Sequence, residues 1–401
     1  MTSFDSDLSR RLDALREQGL YRELRRVDSA QSPRIVLDGK SLLNFSSNDY
    51  LGLANEPSLK TSACEAIERY GAGTGGSRLI CGSLAPHHQL DELLAQFKGT
   101  EAALSFSTGY AAALGTICAL VGKGDNIVID KLVHASIVDA ARLSGATLRV
   151  FDHNELDDLE TILKWAAEKT KTPASATQSP RTLVATESVF SMDGDHAPLR
   201  ELVELKEKYG AWLMVDEAHA TGLYGQNRRG LAEDLGVSNR IEVQMGTLGK
   251  AIGASGGYIA GSRTLIDYLT NRSRSFIFST APVPAAAAAA TAGIRFVQSS
   301  AGAERLAALR MRIAEFNAPR QPSFYSAIIP VIIGDETKAV GAAAHLRNQG
   351  IFIPAVRYPT VARGTARLRL TFSAAHTAQD TQQLLSALRP ILPAVPKTEM
   401  A

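Results

Sequence analysis

Cysteine is scarce: the 401 residues contain three, Cys64, Cys81 and Cys118, an odd number with no C-x-x-C spacing. That scarcity excludes a readable disulfide framework or thiolate metal site, so no metal is expected and a reducing, cytoplasmic setting is. Excess charge of one sign is also missing. Lys and Arg total 43 against 41 Asp and Glu, a net of +2, so no long-range field draws the chain to nucleic acid or to an anionic membrane. Long apolar runs are lacking too. The nearest, AAALGTICALVG at 111–122, is well short of the ~20 residues a bilayer crossing needs. The opening MTSFDSDLSRRLDALREQ has neither the apolar core nor the small-residue cleavage site of a secretory signal.

At ~150 residues per domain the length suits two or three compact units. Leu8, Leu12, Leu15, Leu20 and Leu24 recur at helical spacing among many charges, which predicts an amphipathic helix or helix pair over 8–26 that lies on a neighbour's surface. RIVLDGKSLLNF follows, two extended runs around Asp38-Gly39, the dipeptide that favours a hairpin turn. Short apolar runs then alternate with helix-like stretches: NIVID (126–130), TLVATE (182–187), AWLMVDEA (211–218) and IEVQMG (241–246). Such alternation predicts parallel strands joined by crossovers, buried on both faces. Glu187, Asp216 and Lys250 fall at or just past their C-terminal ends, where open α/β sheets place ligands. PVPAAAAAATAG (282–293) reads as the helix leaving the large domain. SATQSPR (175–181) reads as a surface loop, and SAIIPVIIG and RLRLTF as strands of a smaller α/β domain. The expected division is 1–54 (helix and hairpin, packing with the small domain), 55–290 (large cofactor-binding domain) and 291–401 (small domain).

Three signals compete for the chemistry. DEAH at 216–219 resembles the metal box of helicase-type ATPases, but such enzymes also need G-x-x-x-x-G-K-[ST]. The only candidate, around Gly246-Thr247-Leu248-Gly249-Lys250-Ala251, has the wrong glycine spacing and ends in Ala. GAGTGG at 71–76 matches the dinucleotide fingerprint, which works only after a strand, and the preceding CEAIERY looks helical. The third is Lys250 in GTLGKAIGASGG. A free lysine is a poor nucleophile at its ordinary pKa of ~10.4, so catalysis requires desolvation or imine formation.

An imine with pyridoxal phosphate would draw on the neighbouring motifs. Asp216 suits the ring nitrogen, because the protonated ring withdraws electrons strongly. His219 suits the phenolic oxygen, His134 can cover the ring, and Gly109 and Tyr110 open a helix whose N–H groups suit a phosphate, with Thr247 in reach of the same anion. Singly, each has a plainer reading: a cap for Asp216, core histidines for His134 and His219, core for Tyr110. Together they fit one cofactor.

SSNDYLGL (46–53), GAGTGGSR (71–78), HASI (134–137), ESVFSMDGD (187–195), VDEAHATGLYG (215–225), TLGK (247–250) and GTARLRL (364–370) resemble the α-oxoamine synthases over nearly the whole chain. The resemblance implies the α/β fold of aspartate aminotransferase, in which a large domain with a mostly parallel sheet is joined to a smaller C-terminal α/β domain. It also implies a homodimer with active sites at the subunit interface. It puts the cofactor on Lys250, the ring-nitrogen acid on Asp216, the phenolate contact on His219 and the stacking imidazole on His134. Phosphate contacts fall on Gly109, Tyr110 and Thr247, with Thr280 reaching the partner's phosphate, and Ser191 is a further cofactor contact. The amino-acid carboxylate falls on Arg369 with Asn48 nearby and His134 helping to position it; the acyl chain falls near Arg22 and Thr360. The implied reaction condenses L-alanine with a pimeloyl thioester of coenzyme A or acyl carrier protein, with loss of carbon dioxide. Glycine with acetyl-CoA is the alternative inside the family, along with its 5-aminolevulinate- and sphingoid-forming members; an ATP-binding module is the alternative outside it. YPTVARGTARLR departs from the more usual PPTVPxGTARLR at Tyr358, Ala362 and Arg363, which bears on the acyl group rather than on the cofactor.

Overall fold

The computed structural model describes residues 2–171, 180–318 and 325–392; residues 175–179 of the expected surface loop lie outside them. Helix α1 (Ser3–Glu17) is capped by Thr2, whose side chain accepts from the Asp5 N–H. It ends well before Arg26. Gly19 enters the left-handed region at φ +65° and the N–H groups of Leu20 and Tyr21 fold back onto the Leu15 carbonyl, a terminator that glycine favours. No residue of α1 is buried. Strands β1 (Arg34–Leu37) and β2 (Lys40–Asn44) form the expected hairpin. Asp38 and Gly39 lie at φ 50° and 74°, the consecutive left-handed pair of a type I′ turn.

Next come α2 (Pro57–Tyr70), α3 (Ala85–Lys98), β3 (Ala102–Phe106), α4 (Gly109–Leu120), β4 (Asn126–Asp130), α5 (Ala135–Ser144) and β5 (Thr147–Phe151). The chain continues through α6 (Leu156–Lys171), β6 (Thr182–Glu187), α7 (Leu199–Lys208), β7 (Trp212–Asp216), α8 (Leu231–Asp234) and β8 (Val243–Thr247). Strand β9 (Gly257–Gly261) and helices α9 (Arg263–Arg272), α10 (Arg274–Ile277) and α11 (Pro284–Gln298) complete this part. Its seven strands form one sheet in the order β3-β9-β8-β7-β6-β4-β5. Six run in one direction; β9 alone is reversed, antiparallel to both of its neighbours, β3 and β8. The continuous apolar runs follow from burial on both faces: Ile127 and Ile129 of β4 join the layer of α4 and α5, while Val128 between them joins that of α6 and α7. Helix α11 starts at a proline as expected but passes Gly293, which is internal and needs no side chain because a Cβ there would lie 2.3 Å from the Ile252 carbonyl oxygen.

The last segment holds α12 (Ser300–Asn317), β10 (Ile328–Gly334), α13 (Glu336–Asn348), β11 (Ile351–Phe352), β12 (Ala355–Val356), β13 (Ala366–Thr371) and α14 (Ala378–Leu388). β13 is the centre of an antiparallel sheet, β10-β13-β12, and β11 adds in parallel to β2. The described residues of Met1–Tyr50, Met192–Gly194 and Ala307–Ala401 form one compact unit, and those of Leu51–Ser191 and Asp195–Leu306 form the other. The boundary falls inside α12 rather than at 290/291, since α11 packs on α2 and α3. Met192–Gly194 joins the smaller unit because Asp193 pairs with Arg367 of β13 and Gly194 lies against the Ile328 carbonyl, 2.3 Å from where a Cβ would stand.

Candidate active site at the strand ends

The apolar residues of β7 carry Asp216 to the sheet's C-terminal edge, where its Oδ1 accepts the Ala218 N–H at 2.8 Å. Glu187 ends β6 and is the register partner of Asp216. Both are buried, 2% exposed for Glu187 and 5% for Asp216. Burial raises both carboxyls above their ordinary pKa; Asp216 raises Glu187 further, and Lys250 pulls both down. Lys250 is half-buried in the glycine-rich turn after β8, where its carbonyl accepts the Gly253 N–H at 2.9 Å and Leu248 accepts from Ala254 at 2.8 Å.

His134 caps α5, its Nδ1 accepting the Ser136 N–H at 3.2 Å. The capping role and the cofactor-facing role are compatible, because the cap occupies one ring nitrogen. Desolvation of the imidazole and the charge of Lys250 hold its pKa below the ordinary value, while Asp216 and Asp139 pull it up, so at neutral pH the ring is uncharged and suited to stacking. His219 is buried in the turn after β7. That turn is locked by the other acid of DEAH: Glu217 pairs with Lys98 at 2.5 Å, both side chains 1% exposed, and accepts the Ala232 N–H at 2.9 Å. The motif's second carboxylate is therefore a structural tie, and no group of three or more His, Cys, Asp or Glu among the described residues could hold a metal ion. Ser191 is buried, with its N–H on Glu187 Oε2 at 3.1 Å.

A phosphate corner lies at the start of α4. Thr108 Oγ1 takes the Ala111 N–H at 3.0 Å, leaving the first-turn N–H groups of Gly109 and Tyr110 without acceptors inside the helix. Thr247 Oγ1, at the end of β8, is buried and without a partner. The two are pressed together: a Cβ on Gly109 would lie 2.4 Å from Thr247 Cγ2, so only glycine fits. Orphaned helix N–H groups beside an orphaned hydroxyl suit an anion. With Lys250 for an aldehyde and Asp216 for a ring nitrogen, these residues fit pyridoxal phosphate. Tyr110 is exposed, not core, and its hydroxyl donates to Asp139. The helical α2 before GAGTGG removes the strand a dinucleotide site requires. Thr280 is exposed in an extended stretch bridged to Ser77.

The remaining predicted residues belong to the smaller unit. Arg369 on β13 is buried and donates to Asn48 Oδ1 at 3.1 Å and Thr371 Oγ1 at 2.9 Å. Arg22, in the non-helical stretch after α1, donates to Thr360 Oγ1 at 3.2 Å, and both line a cavity of about 600 Å³ with Phe352, Val340 and Arg357. Two of the departing residues meet: the Arg363 guanidinium sits 4.4 Å from the centre of the Tyr358 ring.

Sequence reasoning noted Glu187 without giving it a role, and missed Lys98, which is 119 residues from its partner. It also missed His153, which bridges Asp130 at 3.0 Å and Asp195 at 2.7 Å. A charge ending the apolar run TLVATE was a usable signal for the first; no local pattern marks the others.

The family model for aminotransferase class I and II matches residues 40–388. The chain is 44% identical to 8-amino-7-oxononanoate synthase of Geotalea daltonii, over 94% of this chain and 95% of that one. It is 46% identical to the enzyme of the same name from Anaeromyxobacter sp. (strain K), over 97% and 96%. Among solved structures it is similar to a serine palmitoyltransferase from S. paucimobilis with bound PLP, at a TM-score of 0.87 and 30% identity over 96% of this chain and 97% of that one.

Proposed function

The chain belongs to the class I and II aminotransferase family and, within it, to the pyridoxal phosphate-dependent α-oxoamine synthases, and from that premise we propose that it condenses L-alanine with a pimeloyl thioester of coenzyme A or acyl carrier protein. The products are 8-amino-7-oxononanoate, carbon dioxide and the free thiol, a step of biotin synthesis. The carrying observation is the meeting of Asp216, His134 and Lys250 at the strand ends in a chain whose identity to 8-amino-7-oxononanoate synthases runs over nearly its full length. The similarity to serine palmitoyltransferase supports the cofactor and the reaction class; its lower identity disfavours serine and a long acyl chain as substrates.

Bound pyridoxal phosphate supplies an electron sink for the pair left on the amino acid's Cα when a proton or a carboxylate leaves. Lys250 holds the cofactor through its Nζ and, once the amino acid has taken that place, is the base that removes the Cα proton. Asp216 would hold the proton on the ring nitrogen, His219 and Ser191 would serve the phenolic oxygen, and neutral His134 would cover the ring. Gly109, Tyr110 and Thr247 take the phosphate, and Thr280 takes that of the partner in a cytoplasmic homodimer. Arg369, with Asn48, presents a guanidinium fork to the amino-acid carboxylate; Arg22 and Thr360 receive the acyl chain. Lys250, protonated once it has taken the Cα proton, would be placed to return a proton to Cα after the thiol and carbon dioxide have left.

The test is a product assay on purified protein loaded with pyridoxal phosphate. L-alanine with pimeloyl-CoA should yield one thiol and one 8-amino-7-oxononanoate per turnover, and faster conversion of serine with palmitoyl-CoA, or of glycine with acetyl-CoA, would displace the proposal.

A further inference from the structure

Glu187 has no task in that mechanism, yet it stands beside the mechanism's principal acid. As register partners ending adjacent parallel strands, Glu187 and Asp216 project from the same face of the sheet, on strands about 4.8 Å apart. Both are buried. Two carboxyl groups so placed, away from water, do not both ionise; one proton stays with the pair.

The surroundings decide which group keeps it. Asp216 accepts the Ala218 N–H at 2.8 Å, and Lys250 favours its anion. Glu187 accepts the Ser191 N–H at Oε2 at 3.1 Å and is faced by the His134 N–H, yet its Oε1 is buried without a partner. An ionised carboxylate has about four acceptor sites to satisfy, and leaving most of them bare in an apolar interior is costly. The groups facing Glu187 are Asp216, Lys250 and the N–H groups of Ser191 and His134; burial, then Asp216, drive its carboxyl well above the ordinary range. Glu217, next to Asp216 in the chain, works against the Asp216 anion only as the last of its influences, being itself paired with Lys98.

We propose that Glu187 is the protonated member of a buried carboxyl pair with Asp216, and that by keeping this proton it leaves Asp216 as the one anion the pair presents at the strand ends. It is a positioning residue, acting through Asp216. Its consequence for the cofactor rests on the function proposed above; the location of the proton does not. If Glu187 were ionised instead, the shared proton would pass to Asp216 and the ring nitrogen would lose its counter-charge.

Infrared difference spectra of wild type against Glu187→Gln, with and without cofactor, read the proton directly. Near neutral pH the wild type should show the carbonyl stretch of a protonated carboxylic acid, assigned with isotope-labelled glutamate and absent from Glu187→Gln. In Asp216→Asn the same band should titrate away at lower pH, because the repelling anion is gone. Since Gln copies the shape of neutral Glu, Glu187→Gln should bind pyridoxal phosphate within about threefold of wild type, whereas Asp216→Asn should bind it about tenfold or more weakly, the scale of a lost charge-assisted bond. Absence of the labelled band in wild type, or a Glu187→Gln defect as deep as that of Asp216→Asn, overturns the proposal. A wild type that shows the band but binds no cofactor upholds it and overturns the function instead. If Glu187→Gln fails to fold, the shift of the labelled band's titration to lower pH in Asp216→Asn assigns the proton to the pair, and a labelled band that does not move in that variant overturns the proposal.

Discussion

In the proposed mechanism Lys250 and Asp216 divide the chemistry between a half-buried amine in the turn after β8 and a buried carboxylate at the end of β7. Replacing Lys250 by Ala removes both the covalent holder and the base. The expected result is loss of the protein's yellow absorbance together with a fall in turnover of about 10³ or more, within the range for a positioned base; a coloured, fully active variant would refute the role. At this scale the candidate residues were legible wherever a local string carries them. TLGK, DEAH and HASI each carry a side chain whose neighbours in sequence are also its neighbours in space. Glu187 was legible only as a charge at the end of an apolar run, because its meaning comes from Asp216 on the adjacent strand.

His153 governs an element rather than a reacting atom. It follows β5, and its two ring nitrogens bind Asp130 at the end of β4 and Asp195 in the loop after β6, so it fastens part of the loop that carries Ser191. Desolvation opposes the charged ring, but bonds to both carboxylates outweigh it and raise its pKa to about 10. The sign follows: a pKa raised above the unfolded value of ~6.5 contributes stability that is complete below that value and is lost as pH rises through the folded one. His153→Gln should therefore cost a few kcal/mol near neutral pH, on the order of the linkage term reduced for partial exposure. Thermal melts should show the gap between the two proteins closing as pH climbs through about 10; a gap independent of pH would deny the charged tether. Elements as such were partly readable. The parallel strands and the hairpin came from period and turn chemistry, while α1 was overextended because Leu20 and Leu24 continue a helical rhythm that Gly19 breaks. Strand β9 was not anticipated: its antiparallel direction depends on pairing with β3 and β8, and GYIAG is too short and glycine-rich to announce it.

For the molecule as a whole, the homodimer proposal makes a prediction through Thr280. If its hydroxyl serves the partner's phosphate, Lys250→Ala and Thr280→Ala chains should rescue each other when mixed and reassembled. Half of the dimers would be mixed, each with one site made only of intact residues, so activity at limiting cofactor should recover to about a quarter of wild type. No recovery would place Thr280 with its own chain's site or outside the site. Sequence alone determined the class of fold and the cofactor, and it singled out Lys250 and Asp216 as the proposed lysine and acid, because strand periodicity and short motif strings are local consequences of backbone geometry and of chemistry at strand ends. Tertiary structure decided what is brought together across the chain: Met192–Gly194 joined to β13, Lys98 neutralising Glu217, and Glu187 placed beside Asp216. Such pairings arise from sheet register and from the need to satisfy buried charge, and neither leaves a mark on neighbouring residues.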